Sequence, residues 1–261
     1  MSETCSDFAH TLALKVAYNG APFCGFARQP GLLTVQGELE RACALLFRRE
    51  VETVCAGRTD AGVHALGQVV SFDITQTELS ARTEASLLRS FNALTHDSIS
   101  VRACELKPLG FSARFNARAR EYHYHICLEN TPPLVMRDFS WFIPHELDVK
   151  AMYEASRALI GEHDFKSFCT AASAVGKPTC RNVSEISFVE EVVMGERMLT
   201  IKVVGNAFLH SMVRTIVGSL VAVGRHKREI GWISQVLGAC DRSVAGENAP
   251  AQGLIFWRVL Y

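Results

Sequence analysis

The chain has 261 residues, 48% of them hydrophobic and 21% charged, enough to bury the core of one large domain or two small ones. Lysine plus arginine and aspartate plus glutamate both number 27, so the formal net charge is zero. This weighs against a nucleic-acid binder that works by overall basicity. No apolar run reaches the roughly 18 residues of a membrane span. The start, Met1 to Phe8, is polar and acidic, without the basic end and apolar stretch of a signal peptide, so the expected location is the cytoplasm. Nine cysteines, with no CxxC pair, point to buried thiols in a reducing compartment, not to a disulfide framework or a zinc ribbon.

In chain order, Leu12, Leu14 and Val16 alternate and predict a strand over 10–18, broken by Asn19-Gly20 and Pro22. Val35, Leu39, Cys43 and Leu46 have helical spacing after Thr34, a suitable N-cap. Short strands are expected over 52–56 and 68–74, a helix over 81–94 and a strand over 98–106. Lys107-Pro108-Leu109-Gly110 is the expected boundary, dividing the chain into 1–107 and 108–261. Beyond it, strands are expected over 121–128, 183–192 and 198–204, the last two joined at a Met-Gly-Glu turn. Helices are expected over 148–160, 209–223 and 230–237, and a final strand over 254–261. Each half thus reads β-α-β-β-α-β, the ferredoxin-like order. The expected class is α+β: two such halves whose antiparallel sheets meet around a central cleft.

Residues 56–68 carry the densest chemistry: Ala-Gly-Arg-Thr-Asp-Ala-Gly-Val-His-Ala-Leu-Gly-Gln. Asp60 invites two readings. One is an ordinary turn aspartate. The other is a nucleophile or general base, because a cation, a hydroxyl, an imidazole and glycines surround it in one segment. Gly57, Gly62 and Gly67 permit sharp turning or close approach. Arg58 can keep a nearby carboxylate ionised or contact a phosphate. Two basic groups stand elsewhere, Arg114, Arg118 and Arg120, then Arg225 to Arg228. Each fits a solvated face as well as a phosphate contact. His123 and His125 have metal-like spacing, but no third ligand is evident.

Gly57-Arg58-Thr59-Asp60-Ala61-Gly62-Val63-His64-Ala65 resembles the signature of the TruA family of tRNA pseudouridine synthases. Further blocks match in order: Tyr18-Asn19-Gly20, Thr34-Val35-Gln36, Phe111 to Phe115 with Arg120 to Tyr124, Gly161 to Phe165, Gly205 to Leu209 with Met212-Val213-Arg214, and Ala249-Pro250-Ala251 with Gly253-Leu254. The resemblance implies isomerisation of uridine to pseudouridine at positions 38–40 of the tRNA anticodon stem-loop. It implies no cofactor and no metal, a homodimer holding one tRNA across both subunits, and Asp60 as nucleophile. It also implies that Arg214 matches the family's partner arginine and that Arg58 contacts RNA and helps expel the base. Tyr122 matches the tyrosine that stacks on the uracil or handles the C5 proton. Leu254 matches an apolar residue near the base, although a plain core role suits it too. Asn19 and Phe26-Ala27 depart from the usual residues of the first-strand motif. Two other readings remain at this stage: a non-catalytic RNA-binding module of the same shape, and a carboxylate-dependent hydrolase. The hydrolase lacks the second carboxylate that glycoside hydrolysis usually needs.

Overall fold

The computed structural model describes residues 7–261. Residues 1–6, and with them most of the stretch read as no leader, lie outside the described residues. The chain forms two compact units: one runs to Arg118 and takes back Val259–Tyr261, and the other is Ala119–Arg258. The division falls later than the expected break at Pro108. Residues beyond the Pro-Gly turn keep their contacts with the first unit. The Gly110 N–H donates to Thr11 Oγ1 (3.2 Å) and the Ala113 N–H to Ser71 Oγ (2.9 Å). A turn signal marks where a strand ends, not where packing ends.

The first unit contains β1 (Phe8–Tyr18), α1 (Val35–Phe47), β2 (Val54–Cys55), β3 (His64–Thr75), α2 (Gln76–Ser80), α3 (Glu84–Leu94) and β4 (Ile99–Pro108). β1 pairs antiparallel with both β3 and β4, and β2 lies on the far side of β3, giving β4-β1-β3-β2. This order with two crossing helices is the ferredoxin-like arrangement. The alternating β1 residues Leu12, Leu14 and Val16 are fully buried. Thr34 caps α1 by accepting from the Gly37 N–H (3.2 Å), and the expected stripe Val35, Leu39 and Cys43 faces the core.

The helix expected over 81–94 forms as α3, starting at Glu84, and a short helix that was not expected, α2, precedes it. Thr75 with Glu78 and Thr83 with Ser86 each form a capping box, and each box starts a separate helix. Apolar periodicity does not register such a polar start. α3 buries Leu87 and Phe91.

The second unit contains β5 (Ala119–Cys127), β6 (Trp141–Phe142), α4 (Val149–Ser156), β7 (Gly161–Asp164), α5 (Ala171–Ala174), β8 (Cys180–Val193), β9 (Glu196–Gly205), α6 (Met212–Gly224), α7 (Trp232–Ala239) and β10 (Leu254–Leu260), whose last residues return to the first unit. Its strands run β10-β5-β9-β8, the same order again, with β7 added outside β8. The β8–β9 connection has Met194 at φ 53° and Gly195 at φ 84°, as a tight hairpin turn with two left-handed residues requires. β7 was not expected: its residues are polar, and pairing with residues 180–183 is what makes them a strand. The expected helix over 148–160 ends at Ser156 and continues as a single tighter turn, Arg157–Leu159.

The fold is therefore α+β, built from two ferredoxin-like units. Among the described residues no helix is long and apolar enough to cross a membrane, and every described cysteine is a free thiol.

Candidate active site

Asp60 lies in the connection between β2 and β3. The Val63 N–H donates to the Asp60 carbonyl (3.2 Å), and Gly62, third of the four residues, has φ 77°. This is the geometry of a β-turn that needs a left-handed third residue. The turn reading of Asp60 is thus correct for its backbone. The closing bond is made by the Asp60 backbone carbonyl.

Burial alternates along the loop: Arg58 is exposed, Thr59 buried and Asp60 half-buried. Thr59 is the anchor. Its Oγ1 pairs with the Tyr18 hydroxyl at 2.7 Å, and its carbonyl accepts from the Phe26 N–H (3.0 Å). Behind it, the Gln68 side-chain amide donates to the Gly57 carbonyl (2.6 Å). Burial pushes the Tyr18 phenol well above its ordinary range, against hydrogen bonds with Thr59 and Gln68 that pull the other way. Tyr18 is therefore a neutral strut.

His64, the imidazole of this loop, is 2% exposed. Its Nδ1 accepts from the Gly20 N–H (3.0 Å), so this imidazole ties the loop to the end of β1. A Cβ on Gly20 would sit 2.1 Å from the Val63 carbonyl oxygen. Only glycine permits that approach.

Tyr122, Arg214 and Leu254 belong to the second unit. Tyr122, on β5, is 6% exposed. It meets Phe208 and Phe256 edge-on, with ring centroids 5.0 and 4.9 Å away. Arg214 stands in the first turn of α6. Its Nε donates to the Ala249 carbonyl (2.8 Å) while its own carbonyl accepts from the Ala249 N–H (3.1 Å). That reciprocal pair fixes the start of the guanidinium stem. Leu254 opens β10 and is buried. Tyr124 is structural: its hydroxyl donates to the Pro250 carbonyl (2.8 Å).

The basic group around residue 114 divides. Arg114 and Arg118 are exposed, but Arg120 is buried and donates to the Asn206 carbonyl (2.6 Å). His123 and His125 each have their own partners: His123 Nε2 lies 2.8 Å from Glu121 Oε1 and stacks on Trp257, and His125 Nδ1 lies 2.9 Å from Thr200 Oγ1. Among the described residues no group of three His, Cys, Asp or Glu side chains is arranged to hold a metal ion. Sequence reading missed Thr59 as an anchor because its partner Tyr18 is 41 residues away. It also gave Phe115 no role, although an aromatic ring between arginines in a polar stretch is a visible signal.

A family model described as tRNA pseudouridine synthase matches residues 15–116 and 155–261. The tRNA pseudouridine synthase A of Bacillus licheniformis is 41% identical over 248 residues, covering 94% of this chain and 97% of that one. The Thermotoga neapolitana protein of the same name is 38% identical over 250 residues, covering 96% and 99%. The Bacillus subtilis protein is 38% identical over 252 residues, covering 96% and 98%. With two ferredoxin-like units, the anchored Asp60 turn and these full-length likenesses, the chain belongs to the tRNA pseudouridine synthase family of isomerases.

Proposed function

We propose that this chain converts uridine to pseudouridine in tRNA, at positions 38–40 of the anticodon stem-loop, with Asp60 as the nucleophile. The observation that carries the reading is the Asp60 turn, held in place by Thr59, His64 and Gln68, in a chain that belongs to this family.

The reaction breaks the C1′–N1 bond, rotates the uracil, joins C1′ to C5, and exchanges the C5 proton for one on N1. It is redox-neutral and consumes no water overall, so it calls for no cofactor and no metal. The substrate uridine must leave its stack, at a cost of a few kcal/mol, and a loop or weakly paired stem costs least. Arg58 and Arg214 are the cationic substrate contacts, and Arg58 helps expel the base. Tyr122 serves the uracil. Its ring already makes two edge-on aromatic contacts, which favours its phenol as the group that handles the C5 proton over a stacking role. Leu254 supplies an apolar surface to the base. The working unit is a homodimer in the cytoplasm, which lets a chain of zero net charge offer tRNA a larger composite basic surface.

Asp60→Ala should bind unmodified tRNA with near-normal affinity and form no detectable pseudouridine. Wild-type-like product from that variant overturns Asp60 as nucleophile. Mapping pseudouridine on unmodified tRNA tests the rest. Product outside positions 38–40 overturns the assigned position. Binding without product favours a non-catalytic RNA-binding module, and free uracil favours a hydrolase.

A further inference from the structure

Phe115 is 81% exposed, more than any other aromatic ring among the described residues. A single phenylalanine in water is common on a protein surface; what distinguishes this one is the rigid turn that holds it out beside a cation. This loop is tightly held. The Ser112 N–H donates to Asn116 Oδ1 (2.7 Å), the Asn116 N–H returns to the Ser112 carbonyl (3.1 Å), and Ser112 Oγ accepts from the Phe115 N–H (3.3 Å). Below them the Ala113 N–H donates to Ser71 Oγ (2.9 Å), and the Ala113 carbonyl accepts from the Tyr261 hydroxyl (2.9 Å). Tyr261 also packs on Phe111, with ring centroids 5.2 Å apart. The ring is thus held out by a rigid turn.

The turn is anchored beside the catalytic loop. Its anchor Ser71 is the register partner of Val54 on β2, and the next partners are Cys55 with Val70. The Ala56 N–H then bonds to the Val69 carbonyl (2.9 Å), and the chain leaves for Arg58 and Asp60. Both Arg58 and Arg114 act electrostatically on the Cys55 thiol, which burial pushes up to about 11; the two guanidiniums therefore share one neighbourhood. The Arg114 guanidinium carbon lies 5.4 Å from the Phe115 ring centre. Cation and ring together match single-stranded or loop RNA: a phosphate for the arginine and a base for the ring.

We propose that Phe115 stacks on an unpaired base of the RNA substrate next to the uridine being isomerised, with Arg114 bound to that nucleotide's phosphate. This is a substrate-positioning role, since neither side chain touches the reacting atoms. It rests on the reading of an RNA substrate given above. Base stacking is sequence-tolerant, so the contact would hold the strand next to the vacated position whatever the neighbouring base.

The test compares Phe115→Ala, Phe115→Leu and Phe115→Trp in pseudouridine formation on unmodified tRNA. Phe115→Ala should raise KM for tRNA about 5- to 100-fold, the equivalent of one lost base stack, with most of the effect in KM. Its melting temperature should stay at the wild-type value, because the ring is exposed. Phe115→Trp should restore KM, and Phe115→Leu, apolar but without a π face, should not. A wild-type KM in Phe115→Ala, or equal rescue by leucine and tryptophan, overturns the proposal while leaving the synthase reading intact. Tryptophan fluorescence provides a readout independent of turnover. Addition of tRNA should quench Phe115→Trp beyond the wild-type change. Equal quenching overturns the stack even if no pseudouridine forms, and a separate failure of catalysis would count against the synthase reading alone.

Discussion

At the scale of single residues, the candidate site is a carboxylate whose position depends on its neighbour. Thr59 is buried because its hydroxyl pairs with the buried Tyr18 phenol, and this fixes the peptide that leads into Asp60. Tyr18→Phe should leave Thr59 Oγ1 without that partner and cost about 1–3 kcal/mol in stability, read from the denaturant midpoint. It should also slow turnover on the order of tenfold or more, because small displacements of a reacting group are expensive. A variant as active and as stable as wild type would remove Thr59 from the positioning of Asp60. Asp60, Arg58 and the glycine at 62 were legible from the loop's composition. Thr59 and His64 were not, because the groups that hold them, Tyr18 and the Gly20 amide, lie more than forty residues earlier.

At the scale of elements, α6 carries Arg214 and is clamped by the segment just before β10. Gly246 donates to Ser219 Oγ (3.0 Å), Thr215 Oγ1 to Asn248 Oδ1 (2.6 Å), and Ala249 exchanges two bonds with Arg214. The helix can lie this close because residue 218 is glycine: a Cβ there would sit 1.8 Å from the Glu247 carbonyl oxygen. Alanine favours a helix over glycine by about 1 kcal/mol. Gly218→Ala should nevertheless destabilise by about 1–3 kcal/mol, because the backbone must move. It should also raise KM for tRNA by displacing Arg214. Gly238→Ala in α7 meets nothing within 4 Å and should stabilise by about 0.5–1 kcal/mol. Melting temperatures of the two variants, moving in opposite directions, check both statements. The strands and helices with strong apolar periodicity, such as β1, α1, β9 and α6, were readable in advance. β7 and α2 were not: an edge strand of polar residues is defined by its partner, and a capping box by two side chains that periodicity ignores.

At the scale of the whole molecule, pH links to stability through the sheet of the second unit. Burial, with His123 adding to it, pushes His125 down to about 4 from an ordinary value of 6.5. A histidine depressed by folding stabilises the native state fully above the unfolded pKa. That contribution is lost as pH falls from about 6.5 toward 4, because only the unfolded chain then takes up the proton. The loss should be about 3 kcal/mol over that window. His123 is lowered too, despite the opposing pull of Glu121, so it acts in the same direction. Urea midpoints at pH 7.5 and pH 5 should show the loss in the wild type and a clearly smaller one in His125→Gln; equal losses would assign the acid sensitivity to other groups.

The sequence by itself determined the class of the fold, the order β-α-β-β-α-β in each half, the family, and the identity of the residues worth testing. These are encoded by local periodicity and by short ordered motifs. Only the tertiary structure decided which polar side chains have distant partners: Thr59 with Tyr18, Arg120 with Asn206 and Arg214 with Ala249, separated by 41, 86 and 35 residues. It also decided that the segment 108–118 stays with the first unit and holds Phe115 in solvent. A hydrogen bond is specified by two groups meeting in space, and no pattern local to either group records which distant partner it will meet.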